Sequence, residues 1–166
     1  MKVKMQTKYQ LEKWIWTESD FDQMGWHDNN IYGLSFFPED FEFALDIDYI
    51  FQWINPVNPD TYYKFWLSPA TLVFENVYNT ILNIETDSGL EIADIHRTNP
   101  QKPKNSKFIK RDTEWTWQID CQEGDISLIS VGYKMFIRSR PILSQNQKIG
   151  LDKRGGISFH RGKIAT

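Results

Sequence analysis

Between Phe41 and Trp53 the chain reads Phe-Glu-Phe-Ala-Leu-Asp-Ile-Asp-Tyr-Ile-Phe-Gln-Trp, and every odd position is apolar or aromatic. The even positions as far as Asp48 are Glu42, Ala44, Asp46 and Asp48. A β-strand sends successive side chains to opposite faces, so a period of two puts one face in a core and the other toward water. The run is therefore expected to be a long half-buried strand with Glu42, Asp46 and Asp48 on its second face. Thirteen residues exceed the usual strand of about five or six, so the strand is expected to bend, through a bulge, and to contribute to two sheets.

The remaining chain offers short runs of the same kind. Candidate strands are Ile31 to Phe37, Tyr62 to Leu67, Thr71 to Val77, Ile81 to Thr86, Leu90 to Ile95, Glu114 to Cys121 and Asp125 to Tyr133, the last extended by 134–138. Asn55 to Asp60 contains two prolines and breaks the chain. Ser68-Pro69 reads as an interruption, and Asp87-Ser88-Gly89 as a hairpin turn. Ser19 to Met24 reads as one helical turn capped by Ser19 and stopped by Gly25. With 11 Phe, 7 Trp and 7 Tyr in 166 residues, the composition suits pleated, aromatic-packed sheet. The expectation is all-β: an antiparallel β-sandwich or partly open barrel of about eight to ten strands, with one short helical turn near the N-terminus. Residues 1–10 form a tail or edge strand, 11–147 a single β domain, and 148–166 a basic tail that is disordered or adds one more strand over 156–160.

Charge is unevenly distributed. Residues 9–100 hold 3 basic and 16 acidic side chains, a balance of −13, whereas 101–166 hold 13 basic and 6 acidic, or +7. One consequence is two halves that attract each other within one fold; another is an acidic surface that steers a basic partner. The clustered basic patch that nucleic acid requires is missing from the first hundred residues. No run of about 18 apolar residues suggests a membrane span. The single cysteine, Cys121, suits a reducing, cytoplasmic setting and reads as a structural thiol.

The most chemical-looking group is His27 and Asp28 with Asp46 and Asp48. Carboxylates at i and i+2 of a strand share a face, and His27 completes a site if its turn folds over them. This would support a metal-dependent hydrolase, but no spacing of His and Cys strengthens it. Neither catalytic residue nor cofactor is therefore assigned, and the plainer expectation for the acids is a solvated sheet face. Arg97, Arg138 and Arg140 are expected to be strand-end charges that discourage aggregation. The tryptophans are expected mainly in the core, with a sugar-stacking face as the alternative.

The segments Trp26-His27-Asp28-Asn29-Asn30-Ile31-Tyr32, Leu45-Asp46-Ile47-Asp48-Tyr49-Ile50 and Ser68 to Val77 resemble those of small bacterial β proteins, some of which are similar to immunity proteins that neutralise polymorphic toxins. The resemblance implies a non-enzymatic cytoplasmic protein that binds a basic toxin domain. The leading functional expectation is accordingly a protein-binding module that uses Glu42, Asp46 and Asp48, with His27 and Asp28, against a basic partner. A small-ligand or carbohydrate-binding domain with exposed aromatics is the alternative.

Overall fold

The computed structural model describes residues 8–164, so the expected edge strand over 1–10 falls mostly outside the described residues. Ten strands form one antiparallel sheet: β1 (Ile15–Thr17), β2 (Asn29–Phe37), β3 (Glu42–Ile54), β4 (Lys64–Glu75), β5 (Tyr78–Ile84), β6 (Leu90–Gln101), β7 (Glu114–Cys121), β8 (Gly124–Ser130), β9 (Gly132–Ile137) and β10 (Ile142–Ser144). Their order is β1-β9-β4-β3-β2-β6-β7-β8-β5, with β10 beside β4. Two one-turn helices, α1 (Ser106–Ile109) and α2 (Leu151–Arg154), complete it with a 3-10 helix over Glu18–Gln23.

The sheet is open but strongly curled. Neighbouring strands lie about 4.8 Å apart, so β9 and β7, separated by four strands, would stand roughly 24 Å apart in a flat sheet. Instead the rings of Tyr133 and Trp117 meet at 5.6 Å, and Phe74 of β4 reaches Trp117 at 5.5 Å. Ser130 and Val131, at the end of β8, both donate to the Glu75 carbonyl at the end of β4. The concave face thus encloses one aromatic core, in which Phe43, Leu45, Ile47 and Tyr49 of β3 are buried.

The long strand forms where the alternation places it. Its register against β4 shifts between Ile50 and Gln52, which is the bulge a strand of this length needs in order to curl. It belongs to one sheet rather than two.

Four local expectations change. Thr17, not Ser19, caps the 3-10 helix, with the Asp20 carboxylate accepting in turn from the Thr17 N–H in a capping box; the signal was Thr17 three residues before an acid. Pro69 does not interrupt β4. Its carbonyl accepts from Arg138 N on the β9 side. The N and O of a strand residue point the same way, so its missing N–H faces the junction between β10 and β9.

Asp87 to Gly89 turns the chain, but β5 pairs with β8 and not with β6. The order β6-β7-β8-β5 is a Greek key, and local turn composition does not encode which strands pair. The strand expected from Asp125 to Arg138 is instead two, split at Val131-Gly132. Gly132 has φ +145, and a Cβ there would lie 2.5 Å from Glu18 Cδ. Only glycine lets the chain cross here from one side of the curl to the other.

Candidate functional site

The convex face of β3 is where chemistry was expected, and the chain's own C-terminal segment covers it. Asp46 and Asp48 are both buried. Tyr32 occupies a register shift between β2 and β3, and such an extra residue re-aims its side chain. Its hydroxyl donates to Asp48 Oδ2 at 2.8 Å. Arg138 follows the outward face of β9, and Arg154 ends α2, where Gly155 adopts a left-handed conformation. Gly33 makes room for the covering segment: a Cβ on it would meet Ile157 Cγ2 at 2.9 Å.

Every oxygen of the two carboxylates is occupied. Asp46 Oδ1 accepts from Arg138 Nη2 at 2.8 Å and Arg154 Nη2 at 2.7 Å. Its Oδ2 accepts from Arg154 Nη1 at 2.8 Å and the Ser158 N–H at 2.9 Å. Asp48 takes Arg154 Nε at 3.1 Å, and the Ile149 N–H at 2.7 Å beside Tyr32. The Arg154 guanidinium also lies 3.9 Å from the Tyr32 ring centre. Arg138 Nη1 donates to Thr71 Oγ1 and to the Ser158 carbonyl.

Two cations thus neutralise two anions in a site closed to water. Burial opposes the charge on Arg154, but Asp46 and Asp48 outweigh it and hold its pKa above the ordinary value. Burial dominates at Arg138 and lowers it. Burial, reinforced by Asp48, pushes the Tyr32 hydroxyl up to about 12. The arrangement fastens the C-terminal segment to the sheet and leaves no oxygen of either carboxylate without a protein partner.

This corrects three expectations. The acids at 46 and 48 do not form a solvated face, because arginines more than ninety residues away fold over them. Glu42 is bridged at both oxygens by Arg161, at 2.8 and 3.0 Å. Arg138 is a buried partner and not a strand-end charge. Within the expected tail, described as far as 164, the chain is neither disordered nor a further strand: residues 151–154 form α2, and 156–160 lie across the sheet without joining it. Attraction between the acidic and basic halves accounts for it.

His27 and Asp28 stand at a different site. His27 stacks on Trp53, with centroids 5.9 Å apart and an interplanar angle of 13°, and its Nδ1 donates to the Ala93 carbonyl. Asp28 has φ 64, accepts from Gln147 Nε2 at 2.7 Å and lies 3.5 Å from His27 Nε2. It borders a cleft of about 550 Å³ with Asn30, Glu91, Gln147, Lys148 and Gly150. Burial, then the carboxylates of Asp28 and Glu123, raises the pKa of Glu91. Among the described residues, no three of His, Cys, Asp and Glu gather to hold a metal ion.

Sequence reasoning missed a second acidic group. On the outer surface of β6, β7 and β8, His96 Nε2 lies 3.1 Å from Asp120 and 3.5 Å from Asp94. Gln118 Nε2 bridges Asp120 and Asp125 at 3.2 and 3.0 Å. Half-burial, then Glu123, Asp120 and Asp125, pushes the Cys121 thiol up to about 12. The signal was a gap: residues 65–96 and 112–133 contain neither Lys nor Arg, yet hold ten acids.

The aromatic set is largely core. Trp16, Trp26, Trp66 and Trp117 are buried, and Arg97 lies over the Trp115 ring. Trp53 is the only exposed tryptophan among the described residues, beside Tyr63. Among the described residues, no helix is long and apolar enough to cross a membrane. No protein-family model matches the chain, and neither a curated protein nor a solved structure is significantly similar to it.

Proposed function

We propose that this protein is a non-enzymatic binding module that recognises a basic protein partner through the acidic outer surface of β6, β7 and β8. The observation that carries this reading is the set Asp94, Asp120 and Asp125, solvent-accessible and with no Lys or Arg within 65–96 or 112–133, while Arg97 of β6 lies over the Phe21 and Trp115 rings. Glu85, Glu91 and Glu123 extend it toward the cleft beside Asp28. One-signed surface fields of this kind steer partners of opposite charge and raise association rates. The surface originally expected at Asp46 and Asp48 cannot serve, since both are buried and neutralised from within. An immunity-like role against a basic toxin domain is the form of binding that the sequence resemblance favours.

The test is affinity capture at low and high salt by the wild type and an Asp94→Asn, Asp120→Asn, Asp125→Asn variant, with a lysine-rich peptide as calibrating probe. A specific basic protein retained by the wild type, lost by the variant and weakened by salt supports the reading. Equal capture by both proteins rejects it.

A further inference from the structure

The two ends of the sheet differ. At one end β1 has three residues, a length that offers little edge. At the other, β5 pairs only with β8 among the described residues, and beyond the irregularity at 79–80 its remaining edge is unprotected. It contains no Lys, Arg or Pro, and it leaves Ile81 and Leu82 at 62% and 42% exposure. The register shift sits before Ile81, so 81–84 run regularly. Such an edge is a template for another strand.

Charge identifies the occupant. Beyond the C-terminal end of β5 stand Glu85 and Asp87, with Asp125 paired to Asn83 and Glu123 bonded to Glu85. At the N-terminal end, Asn105 exchanges amide hydrogen bonds with Asn76 at 3.1 and 3.4 Å. That contact holds the loop that bears Lys104 and Lys107 against Asn76, just before the strand begins at Tyr78. An edge acidic at one end and basic at the other is self-complementary when two copies run antiparallel.

We propose that the protein forms a two-fold dimer through β5, continuing one sheet into the next. A two-fold axis through Leu82 sets Leu82 against its counterpart, Ile81 against Asn83, and Glu85 against Asn79 beside the partner's lysine-bearing loop. Closure by a two-fold uses up both edges and ends growth at two copies. Glu85, Glu123 and Asp125 belong both to this edge and to the acidic outer surface, but the proposal rests on the free edge of β5 and not on the binding of a basic partner, and Asp94 and Asp120 lie on β6 and β7, away from that edge.

Sedimentation velocity of the full chain over a concentration series tests it. The expected result is a reversible monomer–dimer equilibrium. Leu82→Lys shifts it to monomer, Glu85→Lys weakens it, and adding Lys107→Glu to Glu85→Lys restores it. A monomer at every concentration, a larger assembly, undiminished dimer in Leu82→Lys, or a charge swap that recovers nothing overturns the proposal. Hydrogen exchange on the wild type supplies a check that needs no variant. Protection of the amides of 81–84 rises with protein concentration if the edge is paired between copies, and protection independent of concentration overturns the proposal.

Discussion

Arg154 grips both carboxylate oxygens of Asp46 from 108 positions further along the chain. The same guanidinium reaches Asp48 through Nε, so one side chain pairs with two acids on adjacent outward positions of β3, and Arg138 supplies the second positive charge. The pairing converts the sheet's convex face into a second, polar interior. It also explains why a segment with few large apolar residues stays on the sheet.

Arg154→Met is therefore expected to be severely destabilising. Removing one partner from a buried ionic group costs about 3–5 kcal/mol, because the remaining charge has no solvent. Urea unfolding should show a loss in this range, and limited proteolysis should open the chain between about 145 and 164. Arg161→Met breaks only the more accessible pair with Glu42 and should cost less than about 1 kcal/mol. Equal losses from the two variants would mean that the Asp46 network is not what fastens the segment.

The inward half of this architecture was legible because it is periodic. Phe43, Leu45, Ile47 and Tyr49 declare a buried face without reference to anything else in the chain. The outward half was not legible, because alternation states only that Asp46 and Asp48 point away from the core. What covers them depends on Arg138 and Arg154, and the one global trace of that partnership was the opposed charge of the two halves. Strand pairing failed for a related reason: Asp87-Ser88-Gly89 specifies a reversal, whereas the partner of β5 is chosen by the whole curl. The acids of β6, β7 and β8 were visible only as a missing residue type across two separate stretches.

Gly132→Ala tests the crossing between β8 and β9. Alanine must adopt φ +145 and also displace Glu18, which pairs with Arg111. The loss should exceed roughly 1 kcal/mol, because alanine is incompatible with this backbone conformation. Glu18→Ala in the same chain should recover only the part due to collision. Thermal melting of the single and double variants separates the two contributions.

Cys121 should be inert in the folded protein. Half-buried and faced by Glu123, Asp120 and Asp125, its thiol titrates near 12, so almost no thiolate exists at neutral pH. Mass spectrometry after iodoacetamide treatment at pH about 7 should find the native protein unmodified and the urea-unfolded protein fully alkylated. Rapid native labelling would contradict the arrangement of those three carboxylates.

Glu91 supplies a test with a definite sign. Burial, together with Asp28 and Glu123, raises its pKa in the folded state above the unfolded value. The folded state then binds the proton more tightly, so ionising this carboxyl weakens folding as pH rises through the raised value. Below the unfolded carboxyl pKa both states are protonated, and the penalty is absent. Glu91→Gln removes the ionisation while keeping the shape and a hydrogen bond to Asp28. The variant should be more stable than the wild type at about pH 7, with the advantage shrinking toward zero near pH 3 to 4. Paired denaturation curves across that range measure it. An advantage that does not change with pH would mean that Glu91 is not held against the other acids of the cleft.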